Sequence, residues 1–284
     1  MNPGPPALAC RTRSVDLSEP VVMGVLNVTP DSFSDSGRFA DADAAVARAL
    51  EMVEQGAAII DVGGESTRPG AAPVPVDEQL RRVMPVIERL RSRMSAPISI
   101  DTSDPRVMTE AVAAGAEIIN DVRALRRDGA TEAAAATGAA VVLMHMQGEP
   151  VTMQQRPAYA DVVREVAGFL RERVSCCERA GIARERICVD PGIGFGKTAA
   201  QNLALLANLE LMSPAGVPVL IGVSRKSLVG IITGQPPGSR DAASSVLAAL
   251  CVARGARIIR AHDVSATVDA LKVAVALERA ASEV

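Results

Sequence analysis

The chain has very few aromatic residues: no tryptophan, one tyrosine and four phenylalanines among 284 residues. Proteins that bind single-stranded nucleic acid stack bases on aromatic side chains, so this composition argues against such a role. The net charge of −3 supplies no excess of cations for a phosphate backbone. Any anion must therefore be bound by local arginines and backbone amides.

Other absences narrow the class of protein further. The five cysteines show no metal-binding spacing such as C-x-x-C, which predicts reduced thiols in a cytoplasmic protein. The N-terminus carries prolines where a signal peptide would need a continuous apolar core. The longest uncharged stretch, 133–148, is too short and too broken to span a bilayer. These features predict a soluble, cytoplasmic protein without a membrane or nucleic-acid partner.

The dominant pattern is an alternation of short β-branched runs with longer segments of helical period. The predicted strands are 21–28, 57–64, 96–102, 116–122, 139–146, 186–192, 217–224 and 256–263. The predicted helices include 42–55, 76–93, 104–114, 161–180 and 241–254, with a last helix at 265–281 that Ser265 caps. Eight strand–helix units in a chain of this length favour an α/β fold, a single (β/α)8 barrel, over an open doubly wound sheet. Residues 1–15 are predicted to be a flexible arm, and residues 16–284 the catalytic domain.

Polar side chains follow nearly every predicted strand at its carboxyl end. They are Asn27, Asp61 with Glu65, Asp101, Asn120, His145, Asp190, Arg225 with Lys226, and Arg260 with His262. A single polar residue at a strand end is usually a cap or an ion-pair partner. The loops at the carboxyl ends of barrel strands converge, however, so the repeated pattern predicts one polar cavity that serves as the active site.

The polar groups divide into two sets by chemistry. The first set offers acceptors, an amide and one cation, which suit a flat heterocycle with several N–H groups and a carbonyl. It consists of Asp101, Asn120, Asp190 and Lys226. The second set suits a diphosphate, because arginine forms forked, charge-assisted contacts with phosphate oxygens. It consists of Asn27, Arg68, Arg260 and His262.

The stretch DPGIGFGKT, 190–198, is similar to a nucleotide-binding loop but satisfies neither common pattern. A Walker loop would need glycine where Pro191 stands. A dinucleotide-binding turn would need a second strand with an acidic end, whereas 201–212 has leucines at helical spacing. We therefore expect Asp190 to face the ligand and Lys197 to be a surface charge.

Two other loops, 29–37 and 63–70, are long and rich in Ser, Thr, Gly and Pro. This composition is also common in ordinary turns. Because both loops follow predicted barrel strands at the carboxyl end, they could instead close over a substrate and exclude water.

Taken together, the motifs resemble those of the bacterial dihydropteroate synthase family, from about Val21 onward. They are LNVTPDSFSDSG (26–37), GGESTRPGA (63–71), SIDT (99–102), IINDV (118–122), DPGIGFGKT (190–198), SRKS (224–227) and RAHDV (260–264). Ser36 and Ala261 depart from the family's usual residues, at positions not expected to touch substrate. The resemblance implies a barrel transferase, commonly a homodimer, that joins 4-aminobenzoate to 6-hydroxymethyl-7,8-dihydropterin diphosphate. The products would be 7,8-dihydropteroate and pyrophosphate, in folate biosynthesis.

The resemblance also implies a role for individual residues. The pterin would contact Asp101, Asn120, Met144, Asp190, Phe195 and Lys226. The diphosphate would contact Asn27, Arg68, Arg260 and His262, and Asn27 would also bind Mg²⁺. The 4-aminobenzoate site, where sulfonamides would compete, would be framed by Phe33, Thr67, Pro69 and Ser227. The catalytic set would be Asn27, Asp101, Asp190, Lys226, Arg260 and His262.

The sequence suggests no Ser–His or Cys–His nucleophile, so we expect direct attack by the aniline nitrogen while cations stabilise the departing diphosphate. Two alternatives remain at this point. One is a pterin-binding methyltransferase that passes a methyl group from methyltetrahydrofolate to a corrinoid protein. The other is a non-catalytic pterin-binding homologue. Neither would need Arg68, Arg260 and His262 together.

Overall fold

The computed structural model describes residues 7–28, 38–65, 72–148, 152–155, 157–214 and 216–282. A short antiparallel hairpin, β1 (Ala7–Ala9) and β2 (Ser14–Asp16), precedes eight parallel strands. The parallel strands are β3 (Val21–Asn27), β4 (Ala57–Gly63), β5 (Ile98–Asp101), β6 (Ile118–Asp121), β7 (Ala140–Met144), β8 (Ile187–Asp190), β9 (Val219–Gly222) and β10 (Ala256–Ala261). They close into a barrel in chain order, with β10 paired to both β9 and β3. The predicted single (β/α)8 barrel is confirmed.

Helices surround the barrel and return the chain from one strand to the next. They are α1 (Arg38–Glu54), α2 (Val76–Leu90), α3 (Pro105–Ala114), α4 (Ala130–Thr137), α5 (Val162–Arg179), α6 (Ala199–Ala207), α7 (Ser227–Thr233), α8 (Asp241–Val252) and α9 (Val264–Ser282). The last helix begins one residue before Ser265, so the predicted cap is wrong. The side chain of Asp263 instead accepts a hydrogen bond from the backbone N–H of Ala266 at 3.2 Å. Among the described residues, no helix is long and apolar enough to cross a bilayer.

Side chains alternate along each strand between the barrel interior and the helix layer, as the pleat requires. The interior cluster includes Met23, Ile59, Ile118, Val142, Cys188, Leu220 and Ile258. The residues that follow most of these pack outward against the helices. Two positions beyond each interior residue, the chain again points inward, now at the carboxyl rim. This alternation places Val25, Asp61, Asn120, Met144, Asp190, Gly222 and Arg260 on the inner face of that rim.

The hairpin fills the amino-terminal end of the barrel. Its apolar residues Leu8 and Val15, and Leu17 just after it, are buried in the interior cluster. Each fully buried side chain of this kind contributes about 1.5–3 kcal/mol. The turn is held to the barrel by Glu117, which accepts from Thr12 Oγ1 at 2.9 Å. Residues 1–15 were predicted to form a flexible arm, but residues 7–16 form a hairpin that packs against the barrel. Residues 1–6 lie outside the described part of the chain.

Candidate active site

A cavity of about 640 Å³ opens at the carboxyl-terminal rim of the barrel. Ten of the predicted site residues line it: Asn27, Asp101, Asn120, Met144, Asp190, Phe195, Lys226, Ser227, Arg260 and His262. The other four, Phe33, Thr67, Arg68 and Pro69, lie outside the described residues. The cavity therefore brings members of the predicted pterin, diphosphate and aminobenzoate sets together, while the role of each residue remains a prediction.

Arg260 is held by two carboxylates from neighbouring barrel strands. Its Nε donates to Asp61 Oδ2 at 2.7 Å, and its Nη2 donates to Asp101 Oδ2 at 2.9 Å. Burial alone would lower the pKa of Arg260, but the charges of Asp61 and Asp101 offset burial and raise it. The guanidinium is therefore permanently charged and fixed in orientation at the cavity wall.

Asp101 has one oxygen without a hydrogen-bond partner in the described part of the chain. That atom, Oδ1, is buried, while Oδ2 binds Arg260. Burial, with a smaller contribution from the nearby carboxylates Asp61, Asp121 and Glu65, raises the pKa of Asp101 to about 7 against the opposing charge of Arg260. A buried polar atom left unpaired costs about 1–3 kcal/mol, so Oδ1 is suited to a ligand that donates a hydrogen bond.

Another part of the cavity wall consists of Asp190, Lys226 and Phe195. Asp190 Oδ1 accepts from the backbone N–H of Gly192 at 2.7 Å, and burial raises the pKa of the carboxyl group against the charge of Lys226. Burial lowers the pKa of Lys226 to about 8. The ammonium of Lys226 lies 4.6 Å from the centre of the Phe195 ring, a cation–π distance. This wall thus offers an acceptor, a cationic donor and an apolar ring face.

His262 is oriented by Ser224, which was not among the predicted site residues. Ser224 Oγ lies 3.0 Å from His262 Nδ1 and accepts from the backbone N–H of His262 at 3.2 Å. Ser224 also lines the cavity. It stands two positions beyond Gly222 in β9, as His262 does beyond Arg260 in β10, so the inward alternation of the strands would have identified it.

The glycines of 190–198 are required by close backbone approach. Gly192 and Gly196 have φ of +68° and +63°, and a Cβ at either would clash with a backbone carbonyl oxygen of the 145–147 segment. The prediction that Lys197 is a surface charge is wrong. Its side chain is buried and donates to the carbonyl oxygens of Gly192 at 2.9 Å, Phe195 at 3.0 Å and His145 at 3.3 Å. Burial lowers its pKa to about 7.

Three of the strand-end polar residues, Asp61, Glu65 and His145, do not line the cavity, contrary to the expectation that all of them converge there. His145 follows the inward-facing Met144 and therefore points outward, where it meets the Phe169 ring edge-on at 4.8 Å. Burial lowers its pKa to about 3. Glu65 instead accepts from the backbone N–H of Val74 at 2.9 Å and so fixes the start of the chain leading into α2.

The described residues contain no cluster of three or more His, Cys, Asp or Glu side chains suited to a metal ion. Mg²⁺ is commonly held by one or two protein oxygens while substrate phosphates and water complete its shell. Asn27 ends β3 and lines the cavity, with its side-chain Oδ1 beside the small Gly63. One amide oxygen in this position fits the phosphate-assisted mode of Mg²⁺ binding and not an all-protein cage.

Comparison with known proteins gives a consistent result. Residues 23–262 match the family described as pterin binding enzyme. The dihydropteroate synthase of Escherichia coli strain K12 is 52% identical over 260 residues, which are 92% of this chain and 92% of that protein. The solved dihydropteroate synthase of Xanthomonas albilineans with 4-aminobenzoic acid is 52% identical, with a TM-score of 0.90 over 96% of this chain and 98% of its own. That of Yersinia pestis with a sulfonamide drug complex is 47% identical, with a TM-score of 0.91 over 96% and 99%.

Proposed function

The chain belongs to the pterin binding enzyme family and catalyses the dihydropteroate synthase reaction, and on this premise we propose how its cavity performs it. The reaction joins 4-aminobenzoate to 6-hydroxymethyl-7,8-dihydropterin diphosphate and releases pyrophosphate. Over nine tenths of the chain, about half of the residues are identical to those of a dihydropteroate synthase. This identity favours the synthase over the two alternatives, the corrinoid methyltransferase and the non-catalytic homologue. The observation that carries the mechanism is that one cavity is lined by members of both polar sets.

The pterin binds between the two walls of the cavity. Asp190 and the unpartnered Oδ1 of Asp101 accept from its N–H groups, and Lys226 donates to its carbonyl oxygen. Met144 and Phe195 provide apolar faces for the flat ring. Support for this arrangement comes from the unsatisfied buried oxygen, because a ligand donor removes the cost of leaving it unpaired.

The diphosphate binds at the cationic part of the same rim. Arg260 and His262 contact its oxygens, and their positive charge or N–H groups stabilise the negative charge that develops as the C–O bond breaks. Asn27 would hold Mg²⁺ jointly with the diphosphate, and the bound ion would neutralise part of the developing charge. Arg68 is assigned to this group from the sequence alone.

The bond-forming step needs no nucleophile from the protein. The exocyclic carbon of the pterin loses its bond to diphosphate and gains a bond to the amine nitrogen, which releases one proton. Ser224 is hydrogen-bonded to both the ring and the backbone of His262, and we assign it to orienting that ring. Asp101 and Asp190 lie on the pterin side, where their carboxylates favour positive character on the reacting carbon.

The 4-aminobenzoate occupies the outer part of the cavity, next to Ser227. Phe33, Thr67 and Pro69 are assigned to the same subsite from the sequence alone. A relative of this fold has been solved with a sulfonamide, so we propose that sulfonamides compete with 4-aminobenzoate here.

We further propose that the protein is a homodimer. Large aliphatic side chains are exposed on three successive helices, α7 to α9: Ile231, Ile232, Val246, Leu250, Val273 and Leu277. A contiguous exposed apolar face is uncommon on a monomer and marks an interaction surface. A second copy of the chain is the simplest occupant, because two-fold pairing buries the same face on both partners.

We assign the reaction to the cytoplasm. All five cysteines are free thiols, and burial raises the pKa of four of them, Cys10, Cys177, Cys188 and Cys251. Unpaired cysteines are usual where thiols are kept reduced.

Pyrophosphate release tests the proposed function directly. The purified protein is incubated with both substrates, with each alone, and with and without Mg²⁺, and pyrophosphate is measured continuously. Release only when both substrates and Mg²⁺ are present is expected. Absence of release under every condition would overturn the function, whereas full release without Mg²⁺ would remove only the metal from the mechanism.

A further inference from the structure

One buried carboxylate contacts a residue from each of the two polar sets. Asp61 lies on the inner face of β4 and is fully buried. Its Oδ2 accepts from Arg260 Nε at 2.7 Å and from Asn120 Nδ2 at 3.0 Å. Asp61 does not itself line the cavity. Any effect that it has on substrate must therefore pass through these two neighbours.

We propose that Asp61 is a positioning residue that orients the anion-binding Arg260 and the pterin-binding Asn120 at the same time. The inference rests on the proposed function, which assigns those two neighbours to the two ends of one substrate. A single oxygen that accepts both hydrogen bonds fixes the guanidinium and the amide relative to each other. The separation between Asn120 and Arg260 is thereby fixed, and we expect it to match the distance between the pterin ring and its diphosphate.

The orientation of each neighbour follows from hydrogen-bond geometry. Asn120 donates through Nδ2 to Asp61, so its amide cannot flip without placing its own oxygen against a carboxylate. Arg260 uses Nε for Asp61 and Nη2 for Asp101, so two of its donor nitrogens are committed and the plane of the group is fixed. The remaining N–H groups of that plane are left for an anion in the cavity.

A second carboxylate on the same rim serves as the matched control. Asp121 is also fully buried and stands next to Asn120 in β6, but it points outward. Its oxygens accept from Ser103 Oγ and from the backbone N–H groups of Arg123 at 2.8 Å and Leu125 at 2.7 Å. Asp121 thus holds the loop after β6 and has no hydrogen bond to Arg260 or Asn120.

Binding measurements on Asp61→Asn separate the two effects. The affinity for inorganic pyrophosphate reports on Arg260, and the affinity for a pterin without diphosphate reports on Asn120; both are measured by calorimetry. Each affinity is expected to fall about tenfold, because a neutral amide oxygen replaces the charge-assisted acceptor and the amide NH2 takes the place of Oδ1, a buried atom without a partner among the described residues. Asp121→Asn is expected to lower the stability of the protein without this paired loss of affinity.

Double variants then show whether Asp61 acts through its neighbours. Adding Asp61→Asn to Arg260→Ala is expected to cause no further loss of pyrophosphate affinity, and adding it to Asn120→Ala no further loss of pterin affinity. Full additivity in both cycles would overturn the proposal. If Arg260→Ala alone leaves pyrophosphate affinity and turnover unchanged, the proposed function of that residue fails instead.

A second variant covers the case in which Asp61→Asn does not fold. Arg260→Lys keeps the positive charge but has no Nε–H and cannot reach Asp61 and Asp101 together. Its pyrophosphate affinity is expected to fall nearly as far as that of Arg260→Ala. Affinity equal to that of the unaltered protein would show that charge alone suffices, and Asp61 would then have no positioning role.

Discussion

Asp190 and Arg260 line the same cavity from strands separated only by β9. One is a buried carboxylate whose pKa is raised, and the other is a guanidinium fixed by two further carboxylates. A ligand that reaches both must carry donor groups at one end and negative charge at the other. A pterin diphosphate meets this requirement.

Replacing Arg260 with alanine should lower turnover about a hundredfold, because losing one contact to the departing anion typically costs ~3 kcal/mol. The change also leaves Asp61 and Asp101 without their cation, which should destabilise the protein. Turnover by pyrophosphate release is therefore normalised to the folded fraction measured by circular dichroism. Arg106→Ala, at a surface ion pair with Asp77 and Glu110, is the control; equal turnover in the two variants would contradict the assignment.

Asp190→Asn should weaken pterin binding about ten- to a hundredfold, since a charged acceptor contributes about 1.5–3 kcal/mol to a hydrogen bond. The measurement is calorimetric titration with a pterin that lacks diphosphate. Asp161→Asn alters a carboxylate that caps α5 and does not line the cavity, so this variant should bind normally. Unchanged pterin affinity in Asp190→Asn would remove that residue from the site.

Pterin affinity should decline as pH rises through about 8, where the partly buried Lys226 loses its proton. The sign follows from the lowered pKa: the ammonium donates below this pH, and the neutral amine is a poorer donor above it. Titrations at pH 7, 8 and 9 measure the trend. Lys226→Arg stays charged throughout and corrects for ionisation of the ligand itself, so identical pH dependence in both proteins would argue against the lysine.

Stability relative to Lys197→Met should increase with pH between about 7 and 10.5. The folded protein lowers the pKa of Lys197 from 10.5 to about 7, so within this window the unfolded chain binds the proton and the folded chain does not. Raising the pH therefore favours folding, by up to about 1.4 kcal/mol per pH unit. Urea unfolding at pH 6.5, 8 and 9.5 measures the difference, and the exposed Lys272→Met is the control. A difference that does not change with pH would contradict the prediction.

Val273→Asp and Leu277→Asp should each convert a dimer into a monomer, because both side chains are more than three-fifths exposed on the apolar face of α9. Light scattering coupled to gel filtration gives the mass in solution. Lys272→Glu changes a charge on the same helix and should leave the mass unaltered. A monomeric unaltered protein would rule out the dimer outright.

Much of the site was accessible from the sequence because the register of a barrel strand is set by its apolar residues. Ile118 and Cys188 face the interior, so Asn120 and Asp190, two positions later, must also face inward. The same rule identifies the error at His145, since consecutive residues such as Met144 and His145 cannot both enter the cavity. In β7, Val142 and Met144 face inward, so His145 must face the helices.

Other features depend on contacts between distant segments and could not be read from local pattern. Lys197 is buried because carbonyl oxygens at 192, 195 and 145 surround its ammonium, and the last of these is 52 residues away. Asp61 likewise contacts two distant residues: Asn120 is 59 positions later in the chain, and Arg260 is 199 positions later. The hairpin over 7–16 has apolar runs too short to predict strands, and it is ordered by packing into the open end of the barrel.

That hairpin limits the routes by which ligands can reach the cavity. Because Leu8 and its neighbours fill the amino-terminal end of the barrel, the described residues leave the cavity open only at its carboxyl-terminal rim. A pterin bound at the floor of the cavity is covered by whatever binds after it. With the pterin in the proposed place, we expect the pterin diphosphate to bind before 4-aminobenzoate and the joined product to leave through the same opening.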